Sequence, residues 1–246
     1  MHLRIFGFGE LAGGPWGAGW IPDEPDQAGL LGWFAEAGAS PPRLDGEQAS
    51  EPWHLAAGDT ELTLEGLGEP VSSEGPDHDS GFDQLCRITG VLAADSGSRN
   101  INSLGWRSAR TQPLGPGRLD SLRQVAGWFD EDDGFALLAL RPKGERGQER
   151  DQVSAAVFGP SGAKQVADPR LSTTYDASEQ PARASVELWV ETEGDSETQY
   201  PQRAIGEAVA PPVQARAGQL VLEGRPFHWY SGGGEGAGLY LIGRVG

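Results

Sequence analysis

Three polar side chains stand in the middle of apolar runs: Arg87 in QLCRITG, Glu187 in SVELWV and His228 in PFHWY. A carboxylate and an imidazole are ordinary carriers of protons in catalysis. A charge within a strand costs free energy unless it is solvated, paired or used. Residues i and i+2 share a strand face, so Glu187 goes with Trp189, His228 with Tyr230, and Arg87 with Asp83 and Leu85. Each row faces either solvent or the lumen of a barrel. In a lumen, an aromatic ring beside a carboxylate suits an apolar ligand with one polar handle. On that footing Glu187, Trp189, His228 and Tyr230 are expected around one cavity in the C-terminal half, with Tyr240 beside them across the last hairpin. Glu187 or His228 would move protons. Trp106 and Trp128, in or beside strands, are further candidates for contact with a ligand, core packing being the ordinary alternative.

Other chemistries lack their residues. The four histidines, His2, His54, His78 and His228, form no His-x-His or His-Glu-x-x-His pair, so no zinc site is expected. DEDDG (residues 130–134) lacks the ligand spacing and terminal Glu of a calcium loop. Gly-x-Ser-x-Gly is absent. GGGEGAG near the C-terminus has a partial dinucleotide-loop pattern, but no helix or strand–helix unit follows to supply an anion site, and Glu235 would repel a phosphate. It is expected to be a turn between PFHWYS and GLYLIGRV. Neither cofactor nor metal is expected.

Glycine (37) and proline (18) are spread along the chain and punctuate short strands. Alternating apolar residues mark strands at 61–66, 84–93, 184–191 and 219–224. SLRQVAGWFDEDDGFALLALRP predicts a hairpin with Asp133-Gly134 in a type I′ turn. LSTTYDASEQPARASVELWV predicts another, turning at 176–181. No long window keeps a helical period; residues 29–38 come nearest, weakened by glycine. The pattern predicts an all-β antiparallel meander of about 12 to 16 strands. Prolines and glycines at 111–120 mark a seam between two closely packed halves, residues 1–112 and 118–246.

With 19 basic and 36 acidic residues the net charge is −17. Such a surface repels phosphate backbones and anionic lipid, so neither nucleic acid nor membrane is an expected partner. Cys86 is the single cysteine, which rules out a disulfide within the chain. The N-terminal MHLRIFGFGE, broken by Arg4, lacks the apolar region of a signal peptide, so a cytoplasmic location is expected.

FDQLCRITGVL, LGWRSAR, DSLRQVAGWFDEDDGFALLALRP and FHWYSGGGEGAGLYLI occur in an order that resembles the AttH-like and hydroxyneurosporene synthase (carotenoid 1,2-hydratase) superfamily, over residues 82–246. The resemblance implies two lipocalin-like β-barrel halves. It also implies either a binder of a small apolar molecule (isoprenoid, polyketide or fatty-acid-like) or a cofactor-free hydratase, isomerase or cyclase acting on one. In GWRSAR, Gly105 and Arg107 match the family's Gly-x-Arg, while Ala109-Arg110-Thr111 stand where Trp-Gly would follow. Arg107 is thereby implied to orient or polarise a ligand, with Trp106, at the junction of the halves. A sugar-binding β-sandwich is a third possibility and would need exposed, coplanar tryptophans.

Overall fold

The computed structural model describes residues 3–11, 13–35, 42–74, 80–94, 97–111, 118–144, 151–190 and 201–246. Among the described residues eighteen strands form two antiparallel sheets, and the only helical pieces are two 3-10 turns, Pro25–Gln27 and Trp33–Ala35. The strand count exceeds the expected one because the glycine-rich first quarter adds short strands that alternation alone does not mark. Among the described residues no helix is long and apolar enough to cross a membrane.

The first sheet contains β1 (Leu3–Gly9), β2 (Trp16–Pro22), β3 (Gly29–Gly32), β4 (Arg43–Asp45), β5 (Trp53–Ala57), β6 (Thr60–Glu74), β7 (Ser80–Ala94) and β8 (Gly97–Arg110), in the order β3-β2-β1-β8-β7-β6-β5-β4. The second contains β9 (Leu119–Trp128), β10 (Gly134–Pro142), β11 (Gln152–Phe158), β12 (Lys164–Gln165), β13 (Asp168–Tyr175), β14 (Pro181–Trp189), β15 (Gln202–Ala208), β16 (Val213–Ala217), β17 (Leu220–Ser231) and β18 (Gly234–Val245). Its order is β12-β11-β10-β9-β18-β17-β15-β14-β13, with β16 on β17. Most of the proposed boundary, residues 112–117, lies outside the described residues.

Each sheet curls around its own core. Phe6, Phe8, Phe34, Trp53, Leu64 and Ile88 fill the first half-barrel; Phe135, Val186, Phe227, Trp229 and Tyr240 fill the second. A third core joins the halves, with Leu3, Ile5, Leu85 and Trp106 meeting Leu122, Ala126, Trp128, Leu138 and Leu239. Residues at the centre of this seam are buried on both strand faces. In β10, Phe135, Leu137 and Ala139 point into the barrel while Ala136, Leu138 and Leu140 point to the seam. GFALLAL is therefore apolar throughout instead of alternating. Fully burying one such Leu or Phe is worth about 1.5–3 kcal/mol, so the seam is part of the fold's stability.

The last glycine loop is a hairpin turn. Ser231 pairs with Gly234, leaving Gly232 (φ 55°) and Gly233 (φ 90°) as a two-residue loop in the left-handed region that glycine adopts without strain. The β9–β10 hairpin forms, but not with the expected type I′ turn. Trp128 pairs with Gly134, the loop spans residues 129–133, and the Phe129 N–H donates to the Asp133 carbonyl at 2.8 Å. Neither Asp133 nor Gly134 has positive φ. Four acidic side chains in five residues are accommodated by the wider loop, where Asp130 Oδ1 accepts the Glu131 N–H.

Candidate functional site

Trp106 and Arg107 are adjacent in β8 and so point to opposite faces. Trp106 lies at the seam, 1% exposed, its indole N–H donating to Asp83 Oδ1 at 3.0 Å. Arg107 does not lie there. It points into the N-terminal half-barrel and is fully buried. Nε and Nη2 donate to Gln84 Oε1 at 3.1 and 2.8 Å, Nη1 to the carbonyls of Glu51 (2.8 Å) and Leu64 (3.1 Å), and Nη2 to that of Ala49 (2.7 Å). A guanidinium has five N–H donors, and these five bonds use them all. Its carbon sits 5.0 Å from the centre of the Trp53 ring. Burial pulls the guanidinium below its usual pKa range, opposed by Cys86 and Glu51. Arg107 thus ties the 49–51 loop and β6 to β8, and no donor remains to orient a substrate. The Gly105-x-Arg107 pattern, expected to orient a ligand, is a structural tie here.

The remaining expected cavity does not form either. In β14, Ala184, Val186 and Leu188 face the C-terminal core, which turns Glu187 and Trp189 outward. Glu187 accepts from Arg203 Nε at 3.0 Å on the outer face. In β17, Phe227 and Trp229 face inward, so His228 and Tyr230 point out. Their rings stack at 4.4 Å, and His228 Nε2 lies 3.2 Å from Glu235 Oε2. Glu187 with Trp189 and His228 with Tyr230 are companions, as parity requires, but on the wet side of the barrel wall.

Tyr240 is separated from them by register and by face. The tight Gly232-Gly233 turn places Ala237 opposite His228, Glu235 opposite Tyr230, and Arg225 opposite Tyr240. Tyr240 is an interior residue, 1% exposed, sharing a hydrogen bond with Thr173 Oγ1 at 2.8 Å. Arg107, Glu187 and His228 therefore occupy three separate surroundings and do not form one catalytic centre.

What the structure does bring together lies at the seam. Asp83 is 3% exposed and held by the Trp106 indole and by Arg110 Nη2 at 2.7 Å. Along the same strand faces lie two buried polar residues that sequence patterning missed. Ser108 Oγ and both amide atoms of Gln124 have no hydrogen-bond partner in the protein. At one end the seam opens into a groove of 210 Å³ lined mainly by apolar groups, including Leu11, Leu104, Trp128, Phe129 and Ala237, together with Ser103. Trp128 is 2% exposed at its floor, its N–H donating to the Gly9 carbonyl at 3.1 Å. Arg87 bridges the halves nearby, bonded to Glu131 of the acidic loop and to Asn102 at 2.9 Å. Among the described residues no group of three or more His, Cys, Asp or Glu side chains could hold a metal ion.

No family profile matches this sequence, and no curated protein sequence does. Solved structures do match. A candidate AttH protein from Nitrosomonas europaea superposes over 98% of this chain and 91% of its own, with a TM-score of 0.58 at 10% identity. Kievitone hydratase from Nectria haematococca superposes over 99% of this chain and 88% of its own, with a TM-score of 0.60 at 8% identity. At these identities the likeness is one of fold, and it extends over essentially the whole chain: two lipocalin-like half-barrels packed along a seam, the double-barrel architecture of these two proteins.

Proposed function

We propose that this chain binds a small, largely apolar molecule with one polar group, at the seam between its half-barrels. The observation that carries this reading is the groove at Leu104 and Trp128, with unsatisfied polar atoms deeper along the same two strand faces. Ser108 and Gln124 lie four residues inward from Leu104 and Trp128, about 13 Å along a strand. An unsatisfied buried polar group costs about 1–3 kcal/mol, which a ligand's hydroxyl or carbonyl would offset. At 210 Å³ the groove is smaller than the ~300–1,000 Å³ of ordinary ligand pockets, so it suits a slender chain and not a ring, since the polar atoms to be met lie about 13 Å inward. The sugar-binding alternative loses its basis, since none of the eight tryptophans is exposed.

The test is titration of the protein with retinoid-like, fatty-acid and oligosaccharide ligands, followed by Trp fluorescence. An apolar ligand should bind saturably, and Leu104→Arg at the groove mouth should weaken it roughly tenfold, about 1.4 kcal/mol, with the melting temperature unchanged. Equal affinity in Leu104→Arg would overturn the reading.

Asp83 favours a second reading, hydration of an alkene, the type of activity named by the kievitone hydratase likeness. Hydration puts a proton on one carbon and takes one from the adding water; Asp83, held at the seam by Trp106 and Arg110, would deliver the first as the carboxylic acid and be reprotonated by the second. Asp83→Asn should then abolish turnover of isoprenoid or polyketide alkenes while leaving their binding intact. Absence of turnover by the unaltered protein on such a panel would leave binding as the whole function.

A further inference from the structure

The seam groove has a charged rim that the binding of an apolar chain leaves unused. Among its lining residues Glu10 alone carries a charge. The two other polar side chains there are engaged. The Ser103 hydroxyl lies 3.2 Å from the Gly9 carbonyl and 2.9 Å from that of Leu104, and the Asn102 amide oxygen accepts from Arg87 Nη1 at 2.9 Å. Glu10 is exposed, and its ion pair with Arg99 spans 3.9 Å from Oε2 to Nη2, beyond hydrogen-bond reach. Arg99 is itself exposed and does not line the groove. Gly14 packs against the Glu10 side chain, so closely that a Cβ there would come within 2.8 Å of the Glu10 Cβ and 2.5 Å of Oε2. The segment between β1 and β2 thus holds this carboxylate at the rim.

The adjoining loop carries charge of the same sign. Phe129 lines the groove and begins the loop that continues with Asp130, Glu131, Asp132 and Asp133. Arg87 takes Glu131. Asp130, Asp132 and Asp133 have no ion-pair partner among the described residues. Burial first, and then the like charges of Asp132 and Asp130, push the Asp133 carboxyl up. Carboxylates around one opening reinforce each other's field and raise the local concentration of cations. The net charge of −17 acts in the same direction.

This rim discriminates among the end groups a slender chain could leave there. A carboxylate would face Glu10 as a like charge, and a methyl or hydroxyl end would gain nothing from the field. An ammonium group has three donors and no acceptor. Its hydrogen bond to a carboxylate is of the strong, charge-assisted kind.

We propose that the seam ligand is a long-chain amine, its outer end a protonated amino group held by Glu10. The inference rests on the seam reading, which assigns the apolar chain and its inner polar group, and adds the class of the outer group to it. Glu10 is then the residue that sets specificity against fatty acids.

The experiment is titration of the full chain, at low salt and followed by Trp fluorescence, with decanol and with its ω-amino and ω-carboxy derivatives. All three present the same hydroxyl and chain to the groove. The ω-amino derivative should bind roughly fivefold tighter than decanol, the scale of one part-exposed ion pair, and the ω-carboxy derivative should bind weakest. Added salt should shrink these differences. Glu10→Gln should bring the amine to the affinity of decanol, whereas Glu187→Gln, which removes a carboxylate from the outer face of β14, should leave the order intact. The proposal is overturned if the amine binds no tighter than decanol, or if its advantage survives Glu10→Gln; in both cases decanol binding that is lost in Leu104→Arg keeps the seam reading standing. If none of the three ligands binds saturably, the seam reading falls and this proposal falls with it.

Discussion

Replacing Arg107 by Met keeps a long unbranched side chain in the N-terminal half-barrel and removes all five hydrogen bonds. Four acceptors lose a donor: Gln84 Oε1 and the carbonyls of Ala49, Glu51 and Leu64. Gln84 cannot readily turn away, because its Nε2 is held by the Gly68 carbonyl at 2.9 Å. Each buried acceptor left unsatisfied costs about 1–3 kcal/mol. Acceptors on the part-buried loop can regain water, so two is a fair count for those that cannot. Loss of the contact with Trp53 adds about 0.5–2 kcal/mol, and relief from burying an ion without a carboxylate partner offsets some of the total. The net expectation is a loss of about 3–5 kcal/mol, or roughly 6–20 °C in Tm for a chain of this size. Urea unfolding followed by circular dichroism measures it. A cost below about 1 kcal/mol together with lost ligand binding would refute the structural role and return Arg107 to the binding site.

Burial pushes the Cys86 thiol from 9.0 up to about 12. Between those values the unfolded chain releases a proton that the folded chain retains, so stability should fall as pH rises from 9 towards 12, by roughly 4 kcal/mol at most from this group; Cys86→Ala should flatten that part of the curve of urea-unfolding free energy against pH, and an unchanged curve would contradict it. Gly233→Val should cost about 1–2 kcal/mol, because a β-branched residue resists positive φ, and a melting scan showing no loss would mean that the turn is not of the type described. Glu187→Ala should change stability by less than about 1 kcal/mol, as expected for an exposed ion pair, and should leave ligand affinity unaltered; a large effect on binding would restore the outer row as a site.

Alternation in ELTLEG, QLCRITGVLA, ASVELWVE and QLVLEG was enough to place strands, because a two-residue period has one simple structural meaning. The scarcity of helical pattern likewise made the all-β class legible. The glycine loop could be read as a turn because a phosphate cradle needs a following helix, and the residues that follow, GLYLIGRV, have the composition of a strand. Parity also paired Glu187 with Trp189 and His228 with Tyr230 correctly. It carries no information about which side of the wall a pair occupies. The inward side was decided by the neighbours, Ala184, Val186 and Leu188 in one strand and Phe227 and Trp229 in the other. Those apolar rows were visible in the sequence, but a barrel with a lumen would have allowed either assignment.

Arg107 shows what depended on tertiary structure. Its chemistry is the same whether it faces a substrate or four carbonyl and amide oxygens, and those oxygens come from residues 23 to 58 positions away. The Asp83–Trp106–Arg110 group is likewise a product of strand order. Local sequence determined the strands, the turns and which residues share a face, since those follow from backbone geometry within a few residues. The roles of the charged side chains were decided only when two sheets curled and packed, because a charge takes its meaning from what surrounds it in space.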